Sequence, residues 1–115
     1  MLNFTLLDPS ILEFVEIAPI DQLSPGERLF VELGGKSIVL FNLAGKLFAI
    51  GDVCSHDNGP VGDGEIEDDQ IICPRHGARF DIRTGKAKSL PALLDIPSYP
   101  VRVEQGMVQI GIPKP

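Results

Sequence analysis

The chain is 115 residues long and carries ten basic and sixteen acidic residues, which gives a net charge of −6. This length suits one domain with its own apolar core, and the negative charge disfavours nucleic acid, whose phosphates need a basic surface. The sequence has no run of about eighteen apolar residues to span a membrane, and no basic residue before Arg28 to open a signal peptide. We therefore expect a cytoplasmic protein, in which thiols stay reduced.

Short apolar segments separated by turn residues predict β-strands along most of the chain. The predicted strands are 12–18, 28–33, 37–42, 47–50, 70–73, 78–82, 99–104 and 107–112. Tight turns are expected at Gly34-Gly35, at Gly45 and at Gln105-Gly106, and a single helical turn is expected within residues 21–25. Since no segment shows helical periodicity over three turns, the predicted fold class is an all-β sandwich or barrel.

The chain's two cysteines and two histidines all fall into one pair of motifs. The first motif is C-S-H at residues 54–56, and the second, sixteen residues later, is C-P-R-H-G at residues 73–77. Two short clusters of soft and borderline ligands, with none elsewhere, indicate a single metal centre closed by two loops. The predicted ligands are Cys54, His56, Cys73 and His76.

Two other interpretations use the same residues. A disulfide between the cysteines would leave the paired histidines without a role. A structural zinc site takes the same ligand types, but zinc motifs usually place the second pair of ligands on a helix. Here each motif holds one cysteine and one histidine, and Pro74 and Gly77 favour a turn. These features disfavour a structural zinc site, and a zinc site or an empty, degenerate site stays open as an alternative to an iron–sulfur centre.

The two motifs, written C-x-H and C-P-x-H-G, closely resemble those of the Rieske [2Fe-2S] family over roughly residues 46–97. In that family two cysteines bind one iron and two histidines bind the other. The resemblance implies one cluster per chain, with Cys54 and Cys73 on an inner iron. It also implies that His56 and His76 hold an outer iron near solvent.

The chain departs from the high-potential members of the family at four positions. Those members carry an extra cysteine in each ligand loop, joined as a disulfide, where this chain has Gly59 and Arg75. They also place hydroxyl side chains after the second histidine, where this chain has Ala78 and Phe80. Fewer hydrogen-bond donors stabilise the reduced cluster less, so the resemblance implies a low-potential centre without a disulfide.

The resemblance also implies an architecture and a function. The expected fold is an antiparallel β base with an inserted cluster-binding subdomain, at about residues 51–91 of a single domain, 1–115. The oxygenase subunits of the family need two further histidines, and both histidines here are assigned. The expected function is therefore a free-standing ferredoxin of a ring-hydroxylating dioxygenase system. It would carry single electrons from a flavin-dependent NAD(P)H reductase to a terminal oxygenase, and it would catalyse no reaction itself. Nitrite reduction or iron–sulfur assembly is the alternative setting.

Overall fold

Ten short β-strands are formed within the computed structural model, which describes residues 4, 9–55, 57–90, 92 and 94–114. The strands are β1 (Leu12–Pro19), β2 (Arg28–Leu33), β3 (Lys36–Leu43), β4 (Lys46–Gly51), β5 (Glu65–Glu67), β6 (Gln70–Ile72), β7 (Arg79–Asp81), β8 (Ser98–Tyr99), β9 (Val101–Glu104) and β10 (Met107–Pro113). The described residues contain no α-helix; 3-10 turns lie at Pro9–Ile11 and Ile20–Gln22. The all-β prediction is confirmed.

No helix among the described residues has the length and the apolar character needed to cross a membrane.

The strands form three antiparallel sheets. The first has the order β1-β10-β9 and the second has the order β2-β3-β4-β8. The third, β5-β6-β7, is built from residues that lie between β4 and β8 in the sequence. The chain therefore leaves the second sheet after β4, builds the third sheet, and returns to the second sheet at β8.

Four hairpins turn on two residues that both have positive φ, the conformation of the type I′ turn. The turn residues are Gly34–Gly35, Ala44–Gly45, Asp68–Asp69 and Gln105–Gly106. The sequence predicts three of these turns from their glycines. It misses the turn at Asp68–Asp69, and strand β5 before it, because Glu65–Glu67 offers only one apolar residue and the turn has no glycine. Aspartate tolerates the left-handed region better than most residues do.

The strand predicted at residues 99–104 is in fact two strands in different sheets. Ser98–Tyr99 pairs with β4 in the second sheet, and Val101–Glu104 pairs with β10 in the first. Pro100 lies between them and has no backbone N–H to continue a ladder. The single-strand prediction is therefore wrong, and this proline marks the point where the chain crosses from one sheet to the other.

Strand β3 is buried on both faces and joins two apolar cores. The base core lies between the first and second sheets and consists of Leu23, Ile38, Leu40, Ala49, Tyr99, Val108, Ile110 and Ile112. The site core lies between the second and third sheets and consists of Val39, Phe41, Ile50, Cys54, Val61, Ile71, Cys73, Ala78, Phe80, Ile82, Ala92 and Ile96. Successive β3 residues enter alternate cores because side chains alternate across a strand. The site core therefore rests directly on the base.

Gly85 allows the turn after β7 to approach the segment that leads into β8. A Cβ atom on Gly85 would lie 2.1 Å from the carbonyl oxygen of Ile96, and the φ of Gly85 is +78°. The close approach lets the Ile96 amide donate a 2.8 Å hydrogen bond to the Gly85 carbonyl. Glycine meets both requirements because it lacks a Cβ atom and adopts positive φ freely.

We expect Gly85→Ala to lower the free energy of unfolding by about 1–3 kcal/mol more than Gly35→Ala, because overpacking adds to the backbone strain. Gly35 is the matched control, since it has the same φ of +78° but nothing within 4 Å of an added Cβ. Urea unfolding followed by circular dichroism measures both losses. Equal losses in the two variants would contradict a rigid contact between Gly85 and Ile96.

Candidate metal centre

The first predicted motif lies in loop 1, residues 54–62, which begins three residues after β4 ends. The Cys54 amide donates a 2.7 Å hydrogen bond to the Gly59 carbonyl, and the Asn58 amide donates one of 2.7 Å to the Cys54 carbonyl. Asn58 has a φ of 62°, a conformation that asparagine tolerates. These two bonds close the loop around the Cys54 backbone.

The second motif lies in loop 2, residues 73–78, which begins directly after β6. The Cys73 amide donates a 2.7 Å hydrogen bond to the Ala78 carbonyl, and the Gly77 amide donates one of 3.0 Å to the Cys73 carbonyl. Gly77 has a φ of 74°, which favours glycine at this point in the turn. The turn that Pro74 and Gly77 predict is therefore present.

The two loops place Cys54 and Cys73 side by side in the site core. The cysteines are 0% and 1% exposed, and they do not form a disulfide. Their sulfurs and a carboxylate oxygen of Asp57 all lie within 4.8 Å of one another. Residues 19 positions apart in the sequence thus bring two buried thiols close together.

The histidine of loop 2 lies further out than the cysteines. The His76 side chain is 52% exposed, and its Nε2 atom lies 3.8 Å from Oδ2 of Asp57. His76 is thereby next to the carboxylate that borders the two sulfurs. The other predicted ligand, His56, lies outside the described residues.

Arg75 and Asp57 form an ion pair between the two loops. Nε of Arg75 donates to one Asp57 oxygen at 2.6 Å, and Nη2 donates to the other at 2.8 Å. Nη1 of Arg75 donates a third hydrogen bond, at 2.6 Å, to the Pro60 carbonyl. The Gly59 amide also donates to Asp57, at 3.0 Å. Both carboxylate oxygens of Asp57 therefore already have donors from the protein.

The ion pair shifts the pKa values of both of its members. Hydrogen bonds from Arg75, followed by the hydrogen bond from the Gly59 amide, hold the pKa of the Asp57 carboxyl well below its usual range. The hydrogen bonds to Asp57 are the main reason that the pKa of Arg75 is raised. Both groups are therefore charged at neutral pH.

Gly59 leaves room for the Arg75 guanidinium. A Cβ atom on Gly59 would lie 2.7 Å from Cζ of Arg75, closer than side-chain atoms approach one another. In the high-potential members of the family that this sequence resembles, cysteines joined as a disulfide stand at the positions of Gly59 and Arg75. In this chain an arginine side chain occupies the space over a glycine instead.

Two further side chains tie the end of loop 1 to the base. Oδ1 of Asp52 accepts hydrogen bonds from the amides of Val61, at 2.9 Å, and Gly62, at 2.7 Å. Nη1 of Arg28, on β2, donates to the carbonyls of Gly62, at 2.6 Å, and Gly64, at 2.7 Å. Loop 1 is therefore held by Asp52 and Arg28 toward the base and by Arg75 toward loop 2.

The donors present in the structure fit a [2Fe-2S] cluster with mixed ligands. Such a cluster needs two adjacent thiolates on one iron and two imidazoles on the other. The structure provides two buried, neighbouring thiols and a half-exposed imidazole near them. The Asp57 carboxylate is a weaker candidate ligand, because Arg75 and Gly59 already occupy its oxygens.

Comparison with known families decides between the iron–sulfur and the zinc interpretations. The sequence model of the Rieske [2Fe-2S] domain matches residues 13–100. The chain belongs to this family. The predicted family and the predicted cofactor, a Rieske [2Fe-2S] cluster, are both confirmed, and the disulfide and zinc alternatives are not needed.

Individual relatives of this Rieske domain include small ferredoxins. The 3-phenylpropionate/cinnamic acid dioxygenase ferredoxin subunit of Escherichia coli K12 is 41% identical over 97 residues, 84% of this chain and 91% of the relative. The ferredoxin of carbazole 1,9a-dioxygenase from Nocardioides aromaticivorans IC177 has a TM-score of 0.80 and 31% identity, and the match covers 88% of this chain and 98% of that chain.

A solved structure with a different described role is equally similar in fold. It is a putative NADH-dependent nitrite reductase small subunit from Mycobacterium tuberculosis, with a TM-score of 0.80 and 25% identity. The match covers 91% of this chain and 99% of that chain.

Sequence reasoning did not assign a role in the site to four charged residues. Asp57 directly follows His56 and Arg75 directly precedes His76, so opposite charges next to the two histidines were a usable signal. Arg28 and Asp52 gave no such signal. Arg28 reaches partners 34 and 36 residues away, and that contact depends on how the sheets pack.

We expect Arg28→Gln to lower the free energy of unfolding by about 1–3 kcal/mol, because two carbonyls lose a charged donor in a partly buried place. Arg79→Gln is the control, since it removes a guanidinium that makes one exposed ion pair with Glu67, at 3.1 Å, and such pairs contribute little. Denaturant unfolding measures both variants. A loss for Arg28→Gln no larger than the loss for the control would show that the tether to Gly62 and Gly64 is dispensable.

Proposed function

We propose that this protein is the ferredoxin component of a ring-hydroxylating dioxygenase system. It carries single electrons from a flavin-dependent NAD(P)H reductase to a terminal oxygenase. The observation that carries the proposal is the 41% identity to the E. coli dioxygenase ferredoxin subunit, over nearly the whole of that relative. As an electron-transfer component the protein catalyses no substrate reaction itself.

The proposed ligands of the cluster are Cys54 and Cys73 on the inner iron and His56 and His76 on the outer iron. When bound, the cluster supplies a site that accepts and gives up one electron. The burial of the two cysteines and the half-exposed His76 support this assignment. The cysteines hold their iron away from water, and the imidazole of His76 reaches the surface where a redox partner can approach.

A low reduction potential is part of the proposal. Ala78 and Phe80 are both 0% exposed, and neither side chain can donate a hydrogen bond to the cluster or to a ligand sulfur. With fewer donors the reduced state is less stabilised, so the midpoint falls toward the negative end of the range for Rieske centres, which is about −150 mV.

The domain organisation and the location of the protein follow the same proposal. Residues 1–115 form a single domain, in which about residues 51–91 are the cluster-binding subdomain. The third sheet, which is inserted between β4 and β8, supports this division. A cytoplasmic location suits thiolate ligands that must stay reduced.

A second candidate function is the small subunit of an NADH-dependent nitrite reductase. The observation in its favour is the TM-score of 0.80 to the structure described as such a subunit. The identity there is only 25%, against 41% to the dioxygenase ferredoxin. The dioxygenase assignment is therefore preferred.

The protein purified without oxygen should contain about two irons and two acid-labile sulfides per chain and should show the electron-resonance spectrum of a Rieske centre. Cys54→Ser and Cys73→Ser should each lose most of the bound iron, since each removes a thiolate. Ser55→Ala is the matched control, because Ser55 lies between two proposed ligands and is not one itself. A colourless wild-type protein with one zinc and no sulfide would contradict the proposal.

An electron-transfer assay separates the two candidate functions. With NADH, a flavin-dependent dioxygenase reductase and a terminal oxygenase, we expect substrate oxidation that depends on adding this protein and that fails with Cys73→Ser. With a nitrite reductase catalytic subunit in place of the oxygenase, we expect no stimulation of nitrite reduction. The reverse pattern would favour the nitrite reductase assignment.

A further inference from the structure

The contact between Arg75 and Asp57 differs from the ion pairs of the third sheet in its shorter bonds and in the segments that it joins. Arg83 also meets Asp81 through two bonds, but these are 3.1 and 3.2 Å long and join residues only two apart. Arg79 meets Glu67 through a single bond of 3.1 Å, and the side chains are 33% and 60% exposed. Arg75 and Asp57 meet through two parallel bonds of 2.6 and 2.8 Å, and they are 33% and 24% exposed. A paired, planar contact of this kind fixes both side chains in one geometry.

The contact also joins the two ligand loops to each other. Each ligand loop is held by hydrogen bonds within its own backbone. The three bonds from Arg75, two to Asp57 and one to the Pro60 carbonyl, cross from loop 2 to loop 1. The missing side chain at Gly59 leaves the space through which they cross. The contact therefore links the two ligand loops directly.

We propose that Arg75 and Asp57 form a clasp that keeps the two ligand loops together over the cluster, and that the charges of the pair set the reduction potential of the cluster. The inference rests on the proposed function, since it assigns these residues to the cluster site. Both are positioning residues, which act through the loops and through the field at the site. Neither is proposed as a ligand.

The charges explain why the pair needs both members. A carboxylate oxygen of Asp57 lies within 4.8 Å of the sulfurs of Cys54 and Cys73. As ligands those sulfurs carry negative charge, so an unpaired carboxylate beside them would repel an added electron. The Arg75 guanidinium offsets that carboxylate. Removing either partner alone therefore changes the net charge at the site, and the two removals change it in opposite directions.

Cluster retention tests the mechanical part of the proposal. The variants are Arg75→Gln, Asp57→Asn and Arg75→Lys, with Arg79→Gln as a control that breaks an ion pair within the third sheet. In the presence of an iron chelator, the visible absorbance of the first three should decay about tenfold faster than wild type. The control should decay at the wild-type rate. Decay of all variants at the wild-type rate would overturn the clasp.

The midpoint potentials of the variants test the electrostatic part. If the pair only held the loops together, the direction in which each substitution shifts the midpoint would not be predicted. Arg75→Gln should lower the midpoint because a positive charge is lost, and Asp57→Asn should raise it because a negative charge is lost. Arg75→Lys keeps the charge but not the planar fork, so its midpoint should stay near wild type while its cluster decays quickly. Shifts of the same sign in Arg75→Gln and Asp57→Asn would overturn this part. If Arg75→Gln fails to fold, the Asp57→Asn and Arg75→Lys variants carry both tests.

Hydrogen exchange separates a failure of this inference from a failure of the proposed function. Peptides that cover residues 54–62 and 73–78 should exchange faster in Arg75→Gln than in wild type, while peptides from the base core should be unchanged. Unchanged exchange in these loops would overturn the clasp even if the protein carries a Rieske cluster. A wild-type protein without iron or sulfide would instead overturn the proposed function, and the exchange of the two loops would still report on the clasp.

Discussion

The packing of strand β3 on both of its faces is the interaction on which the rest of the structure depends. Ile38 and Leu40 enter the base core, and Val39 and Phe41 enter the site core, with all four side chains fully buried. Burying one such side chain contributes roughly 1.5–3 kcal/mol, more than an exposed ion pair contributes. The base and the inserted third sheet are therefore held together by the four apolar residues in the middle of β3, and the position of the site follows from them.

Apolar packing and polar contacts have different tasks at the site. Cys54 and Cys73 belong to the site core itself, so the packing that folds the domain also fixes the depth of both sulfurs. The path of loop 1 is set by Asp52 and Arg28, which bind its backbone on the base side. Backbone amides and carbonyls outside a sheet still need hydrogen-bond partners. For loop 1, these charged side chains provide the partners that a neighbouring strand would provide in a sheet.

The sequence predicts most of the strands because their apolar residues follow the period of a pleated sheet. It places β2 at the observed bounds, and it misses β5 because Glu65–Glu67 has only one apolar residue. It runs β8 and β9 together although Pro100 was a visible break. Errors of this kind arise where a strand is short and its stability comes from neighbouring strands.

The candidate ligands could be predicted because the composition left no others, whereas the contacts around them could not. Two cysteines and two histidines in two motifs admit few arrangements. By contrast, the Arg28 contact with Gly62 spans 34 residues and exists because β2 lies beside the start of the third sheet. Such a contact is a consequence of the tertiary fold, so it has no local pattern in the sequence.

The fold alone does not choose between redox partners. Structures described as a carbazole dioxygenase ferredoxin and as a nitrite reductase small subunit share this backbone equally well, each with a TM-score of 0.80, and one fold commonly serves several functions. The difference must lie in side chains that a partner can touch. Near His76 the exposed surface includes the Arg75–Asp57 pair, so the same two residues that join the ligand loops also present their charges to an approaching protein. Under the proposed function, a substitution of either residue would change both the contact between the loops and the charge that a redox partner meets beside His76.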